Sequence, residues 1–304
     1  MEKVLEIKNI DKSYGKHLVI KNVNLTVNKG DIYGLIGKNG SGKTTLFKII
    51  MGLSKQSKGS VNILGSKDNA SLEKARKNIG FFIGSNFFPY LTARENINYY
   101  RKIKGIKDKS EIDRVLKIVE LDKVNKKFKD FSMGMKQRLG IANAILGNPK
   151  IVILDEPING LDPQGIVDIR NTLHYLQEEY GTTLMVSSHI LSELELVANK
   201  FGFINKGTLV RELSREELRN EAKSFVSLRV DDSKSAINIL ENMLNIDGLR
   251  IESNLIKLPS EYAKTTDVIN EKLVKNNIRV YEILVEELTL ENYYFNLIGE
   301  GKNV

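Results

Sequence analysis

Short, wholly apolar runs alternate along the first two thirds of the chain with segments of helical composition. The clearest runs are residues 32–36, 151–154 and 184–186. Continuous apolar character over so few residues is typical of strands buried on both faces, as in parallel sheets with intervening helices. The pattern therefore predicts an α/β domain with its chemistry at the carboxyl ends of the strands.

A second pattern occupies residues 101–138. Four apolar positions at helical spacing predict an amphipathic helix with one buried stripe: Ile112, Val115, Leu116 and Val119. The same stretch has 13 Lys/Arg against 6 Asp/Glu. The ordinary interpretation of this excess of basic residues is a solvated helical face that carries lysines. The alternative is a surface that contacts nucleic acid or an acidic membrane face.

After about residue 214 the pattern changes to strands and helices in the order βαββαβ, which is that of a ferredoxin-like sandwich. The predicted strands are 225–230, 249–251, 255–258 and 280–285, with a turn at Ser253 and Asn254, and the predicted helices are 234–244, 265–276 and 288–298. We therefore predict a first domain over residues 1–214 and an α+β accessory domain over 215–304. No ligand constellation is visible in the second domain, which favours a regulatory or packing module.

Composition narrows the class of protein. The 304 residues are 41% hydrophobic and 28% charged, which excludes bulk disorder. No run approaches the roughly 18 apolar residues of a membrane span, and the charged start has no signal core, so we expect a cytosolic protein. The absence of cysteine excludes disulfides and thiolate chemistry. A net charge of +8 leaves nucleic acid, acidic membrane or nucleotide phosphates as partners.

Residues 37–44 match the phosphate-loop motif G-x-x-x-x-G-K-[ST] at every fixed position, between a predicted strand and a predicted helix. Glycines allow several N–H groups to converge on phosphate oxygens. Lys43 would bridge the β- and γ-phosphates, Thr44 would hold Mg²⁺, and Thr45 would reach the α-phosphate. The predicted nucleotide contacts are Gly37, Asn39, Gly40, Ser41, Gly42, Lys43, Thr44 and Thr45.

Asp155 and Glu156 follow the apolar run 151–154. Adjacent side chains on a strand point to opposite sides, so we expect the two acids to have different tasks. Asp155 is the predicted partner of Mg²⁺ through water. Glu156 is the predicted general base for attack of water on the γ-phosphate.

The interval between the loop and the acids contains the segment Phe131-Ser132-Met133-Gly134-Met135. Here the chain resembles ATP-binding-cassette (ABC) ATPases, whose signature is of the Leu-Ser-Gly-Gly-Gln type. The resemblance covers residues 1 to about 213 and implies a P-loop ABC-type nucleotide-binding domain with a helical subdomain at about 88–148. It also implies that Tyr14 stacks on adenine, that Asp162 lies in the loop after the second acid, and that His189 is the switch histidine at the γ-phosphate.

The chain departs from the ABC pattern in two places. The signature keeps only Ser132 and Gly134, the positions that face the nucleotide of the opposite protomer in this family. In addition, the strand at 79–83 leads into Gly84, Ser85 and Asn86, where the family has a glutamine that touches Mg²⁺ and relays to the membrane partner. Gly84 therefore puts the usual coupling contact in doubt.

The resemblance implies a dimer that binds two ATP molecules and drives a permease on a separate polypeptide, at the inner face of the cell membrane. The two copies are identical or a pair of sister subunits. Three further segments resemble the branch that exports, or gives immunity to, bacitracin and lantibiotics, so a peptide antibiotic is the expected cargo. These segments are 148–150, 159–163 and 290–294.

Two alternatives stay open at the level of sequence. One is an ABC ATPase that acts on DNA or ribosomes, for which the basic stretch is the best argument. The chain lacks the long inserted coiled coil of DNA-repair relatives and the tandem cassettes of translation factors, so no nucleic-acid partner is expected. The other is a regulatory module that binds ATP without hydrolysing it, which gains weight from Gly84.

Overall fold

The structure is a computed structural model that describes residues 2–84, 87–221, 225–244, 246–252, 255–286 and 289–299. The chain divides into two compact units, Met1–Arg215 and Glu216–Val304, and each is described by itself. Within the described ranges, no helix has the length and apolar character needed to span a membrane.

The first unit has sixteen elements in its described residues. In chain order they are β1 (Lys3–Tyr14), β2 (His17–Asn28), β3 (Ile32–Ile36), α1 (Lys43–Ile50), β4 (Lys58–Ile63), α2 (Asn69–Arg76), β5 (Ile79–Phe82), α3 (Ala93–Ile103), α4 (Ser110–Ile118), α5 (Met133–Ala144), β6 (Ile151–Asp155), α6 (Pro163–Tyr180), β7 (Thr183–Ser188), α7 (Leu191–Val197), β8 (Lys200–Asn205) and β9 (Thr208–Ser214). A 3₁₀ turn at Phe128–Asp130 precedes α5, and α8 (Arg215–Glu221) follows β9.

The main sheet has six strands in the order β5-β6-β7-β3-β8-β9. Five of them run parallel, and β9 pairs antiparallel with β8 at the edge. Every residue of β3 and β7 is buried, as continuous apolar character predicts. The predicted α/β sheet is confirmed, and β6, β7 and β3 end side by side.

A three-stranded antiparallel sheet, β2-β1-β4, was not predicted from the sequence. Its signal is an alternation of period two in β2, where Val23, Leu25 and Val27 are buried. The alternation in β1 is broken by a register shift between Ile7 and Ile10, which hides the pattern. Side chains of this sheet share one hydrophobic core with α1 and the main sheet.

Helices α3 to α5 form the helical part of the first unit. A capping box of Thr92 and Glu95 begins α3. The predicted apolar stripe is buried, but the prediction of one amphipathic helix across the basic stretch is wrong. The stretch contains the end of α3, the nine-residue α4, the 3₁₀ turn and the start of α5. Gly105 at φ +69° turns the backbone just after α3, and Glu120 at φ +56° turns it just after α4.

Helix α5 lies unusually close to strand β5. A Cβ on Gly140 would lie 2.4 Å from the Phe82 ring, and a Cβ on Gly80 would lie 1.7 Å from the Ala144 carbonyl oxygen. Glycine at both positions therefore permits the approach. This contact holds the helix that begins at Ser132 against the sheet.

The second unit contains β10 (Phe225–Val230), α9 (Ser233–Leu244), β11 (Arg250–Glu252), β12 (Leu255–Pro259), α10 (Thr266–Lys275), β13 (Val280–Glu286) and α11 (Leu290–Leu297), with a 3₁₀ turn at Ser260–Lys264. The strands pair antiparallel in the order β11-β12-β10-β13, as in a ferredoxin-like sandwich. Side chains of α9 and α10 fill the core on one face. The predicted turn at Ser253 and Asn254 and the start of the last predicted helix at Leu288 lie outside the described residues.

Candidate active site

The phosphate loop connects β3 to α1 and has the backbone that its glycines permit. Gly40 and Gly42 have φ of +79° and +110°, a region that other residues adopt at a cost. A Cβ on Gly37 would lie 2.4 Å from the Ile204 carbonyl oxygen and 2.5 Å from the Ser41 hydroxyl. The Ser41 hydroxyl is buried and has no hydrogen-bond partner among the described residues, so it is available to a ligand.

Lys43 is the first residue of α1, and its side chain is 6% exposed. The ammonium donates to the Gly37 carbonyl oxygen at 2.6 Å and lies 3.2 Å from Glu156 Oε1. Lysine and carboxylate therefore form an ion pair across the loop. A phosphate bound in the loop would compete with Glu156 for this ammonium.

The two residues predicted to serve Mg²⁺ are in contact. Thr44 Oγ1 donates to Asp155 Oδ2 at 2.6 Å. A hydroxyl and a carboxylate are hard oxygen ligands, and Mg²⁺ typically takes few protein ligands and completes its shell with water and phosphate oxygens. Within the described ranges no group of three or more His, Asp or Glu residues forms a metal cluster.

The expectation that the two acids point to opposite sides of a strand is wrong. Strand β6 ends at Asp155, and Glu156 has φ +52°. This left-handed backbone, uncommon outside glycine, turns the Glu156 side chain towards Lys43 while Asp155 reaches Thr44. Both carboxylates therefore face the phosphate loop.

His189, just beyond the end of β7, contacts the second acid. Its Nδ1 lies 2.7 Å from Glu156 Oε2, and its backbone N–H donates to the same oxygen at 3.3 Å. One carboxylate oxygen of Glu156 therefore contacts Lys43, and the other contacts His189. The structure brings together three residues predicted from separate parts of the sequence.

Ser187 was not predicted as a site residue, although it directly follows the apolar run 184–186. The side chain is fully buried. Its hydroxyl donates to Asp155 Oδ1 at 2.6 Å and accepts from the Glu156 backbone N–H at 2.9 Å. Strand pairing explains the contact, since Asp155 and Ser187 are register partners in β6 and β7.

Tyr14, the predicted adenine-stacking residue, ends β1 and is 52% exposed. Its hydroxyl lies 3.3 Å from the Ser54 hydroxyl. The Lys12 ammonium lies 4.6 Å from the ring centroid, a cation–π contact. An exposed ring held in this way is suited to stack on a base.

The remaining predicted contacts lie at helix starts. Ser132 caps α5 by accepting from the Met135 N–H at 3.3 Å, and Asp162 caps α6 by accepting from the Gly165 N–H at 3.0 Å. A Cβ on Gly134 would meet only Leu161, at 3.8 Å. Among the described contacts, none joins these residues to the phosphate loop of the same chain.

Gly84, at the position of the family glutamine, has φ +68°, and its surroundings are open. Ser85 and Asn86, which follow it, lie outside the described residues. Asn39 and Thr45 are placed on the loop and on the first turn of α1, where Asn39 is exposed and Thr45 is half-buried.

A glycine-rich loop that opens a helix at the end of a parallel strand, with an acid at the end of the next strand but one in the same sheet, is built to bind nucleotide phosphates. The first unit is therefore a P-loop nucleotide-binding domain.

Comparison with known proteins agrees. The family model for the ABC transporter matches residues 20–159. The bacitracin transport ATP-binding protein BcrA of Enterococcus faecalis is 39% identical over 303 residues, 99% of this chain and 98% of that protein. The lantibiotic transport ATP-binding protein SrtF of Streptococcus pyogenes is 41% identical over 224 residues, 73% of this chain and 96% of that protein. A dimeric post-hydrolysis structure of the ATP-binding cassette MJ0796, bound to ADP and Pi, has 31% identity and a TM-score of 0.63 over 69% of this chain and 98% of that one.

The chain belongs to the ATP-binding proteins of ABC transporters. It binds ATP and is an ATPase. The predicted resemblance to the bacitracin and lantibiotic branch is confirmed.

Proposed function

We propose that this chain is the subunit that binds and hydrolyses ATP for a transporter of peptide antibiotics, acting on a membrane permease that is a separate polypeptide. The observation that carries the proposal is identity of 39% to a bacitracin transport ATP-binding protein over 99% of the chain. An alignment of that length includes the second unit as well as the nucleotide-binding one. The chain would then lie at the inner face of the membrane, held there by the permease.

In this proposal Glu156 is the general base that orients and deprotonates the attacking water. Lys43 leaves Glu156 and moves to the β- and γ-phosphates, and His189 holds the second oxygen of Glu156 close to the γ-phosphate. Thr44 and, through water, Asp155 would hold Mg²⁺, which would neutralise developing phosphate charge when bound. The contacts of 2.6 to 3.2 Å among these side chains support the assignment.

The other proposed nucleotide contacts come from two sources, which are residues of the same chain and residues of the second protomer. Gly37, Asn39, Gly40, Ser41, Gly42 and Thr45 line the phosphates, and Tyr14 stacks on adenine. Ser132, Gly134 and Asp162 complete the site of the opposite protomer, in a homodimer or with a sister subunit. The dimeric state of the solved MJ0796 cassette supports this arrangement.

Action on nucleic acid is not favoured. Two arginines of the basic stretch are engaged within the protein: Arg114 pairs with Glu111 at 2.7 Å, and Arg138 pairs with Glu120 at 3.3 Å. The relatives named above are transport proteins. Only Gly84 favours a regulatory module that binds ATP without hydrolysing it. Such a module would release no phosphate from Mg-ATP, so a measurement of phosphate release distinguishes it from an ATPase.

A complementation experiment tests the proposal. Cells deleted for this gene are expected to become more sensitive to bacitracin or to a lantibiotic. Wild-type protein is expected to restore resistance and to co-purify with a membrane protein, whereas Lys43→Ala is expected to co-purify without restoring resistance. Unchanged sensitivity to every peptide antibiotic tested would remove the cargo assignment, and equal rescue by Lys43→Ala would remove the requirement for ATP.

A further inference from the structure

We propose that Ser187 is a positioning residue for ATP hydrolysis, because its hydroxyl ties the side chain of Asp155 to the backbone of Glu156. The inference rests on the roles proposed above for these two acids. It adds a third residue, which acts by fixing the position of one acid relative to the other.

The direction of both hydrogen bonds follows from chemistry. The Glu156 backbone N–H can only donate, so the Ser187 oxygen accepts it at 2.9 Å. The single hydroxyl proton is therefore directed to Asp155 Oδ1, 2.6 Å away, a length typical of a hydrogen bond to a charged carboxylate. Ser187 has one orientation that satisfies both neighbours.

These bonds hold two groups that would otherwise be free to move, the Asp155 carboxylate and the Glu156 peptide. The terminal torsion of an aspartate is broad, and Asp155 is held at both oxygens, by Thr44 at 2.6 Å and by Ser187. The Glu156 peptide has φ +52°, a conformation that costs energy unless its surroundings impose it. The bond from its N–H to the Ser187 hydroxyl helps to hold this conformation.

If the Ser187 hydroxyl only stabilised the fold, its removal would affect turnover no more than the removal of another buried hydroxyl in β7. Strand pairing between β6 and β7 is by backbone, so it does not need the hydroxyl. Thr183 provides a matched control, since it is also fully buried in β7 and its hydroxyl also accepts a backbone N–H, from Gly30 at 3.0 Å. Thr183 lies at the opposite end of the strand, away from the phosphate loop.

The experiment compares Ser187→Ala with Thr183→Val in the full-length protein. For Ser187→Ala we expect kcat for phosphate release to fall about 10-fold or more, with KM for ATP changed less than about 3-fold. A second readout needs no turnover: ATP affinity measured with EDTA and then with Mg²⁺. The gain in affinity on adding Mg²⁺ is expected to shrink about 5-fold in Ser187→Ala, while affinity in EDTA stays within about 2-fold of wild type.

Thr183→Val is expected to keep both the wild-type kcat and the wild-type gain from Mg²⁺. The inference is overturned if Ser187→Ala retains both values, or if Thr183→Val loses them equally. Failure of the proposed function gives a different result. Full turnover in Glu156→Gln would show that Glu156 is not the general base, regardless of the result for Ser187→Ala. If Glu156→Gln loses turnover but Ser187→Ala keeps both the wild-type kcat and the wild-type gain from Mg²⁺, only the positioning role is removed.

Discussion

The ion pair between Lys43 and Glu156 makes a prediction about nucleotide affinity that does not depend on hydrolysis. Before nucleotide binds, the lysine is paired with the general base at 3.2 Å. Binding requires this ammonium to leave the carboxylate for a phosphate. We therefore expect Glu156→Gln to bind ADP more tightly than wild type.

The magnitude follows from the geometry. Two unit charges 3.2 Å apart attract by about 5 kcal/mol at an effective dielectric constant of 20. Desolvation of the two side chains, 6% and 20% exposed, offsets most of this, and a net value of about 1 kcal/mol is reasonable for such a pair. One kcal/mol corresponds to about a 5-fold change in Kd.

Calorimetric titration with ADP in EDTA measures the effect, because ADP has no γ-phosphate to be repelled by Glu156 and no metal contributes. Asp68→Asn is the control: it removes a carboxylate that caps α2 by accepting from the Ser71 N–H and that has no described contact with Lys43, and asparagine caps equally well. We expect this control to change Kd for ADP less than 2-fold. Equal ADP affinity in Glu156→Gln and wild type would refute the competition for Lys43.

Three other predictions concern different parts of the first unit. Tyr14→Ala should weaken ATP binding about 10-fold through lost base stacking but leave the affinity for inorganic triphosphate unchanged, as measured by competition titration. Glu111→Gln should destabilise the protein by about 1 kcal/mol at pH 7. The Arg114 guanidinium holds the pKa of Glu111 below its usual value, so this stabilisation is present above pH 4.5 and is lost as pH falls further; the difference in thermal unfolding from wild type should vanish there. Gly140→Ala should lower the free energy of unfolding in urea by about 1 to 3 kcal/mol, because the new Cβ meets the Phe82 ring; a stability equal to wild type would contradict the close packing.

The sequence was sufficient to predict the parallel sheet, the phosphate loop and the second unit because each has a local signature. Apolar runs mark β3, β6 and β7, a fixed motif marks the loop at 37–44, and alternating periodicity marks the βαββαβ order. The antiparallel sheet was missed because the register shift in β1 interrupts the period on which such a prediction depends.

The positions of the site residues relative to one another were harder to predict than the identities of those residues. Nothing local in the sequence indicates that Glu156 takes a left-handed backbone, so its side chain was expected on the wrong side. Ser187 acquires its partners from strand pairing between β6 and β7, which are separated in sequence by the whole of α6. Contacts of this kind depend on register, which becomes visible only in the folded chain.

The most direct test of the account is phosphate release from Mg-ATP by wild type and by Glu156→Gln, with bound ATP quantified in the same samples. We expect the variant to release phosphate at no more than about 1% of the wild-type rate while retaining ATP and forming a more stable dimer. A variant that hydrolyses ATP at the full rate would contradict the assignment of Glu156 as the base at the centre of this site.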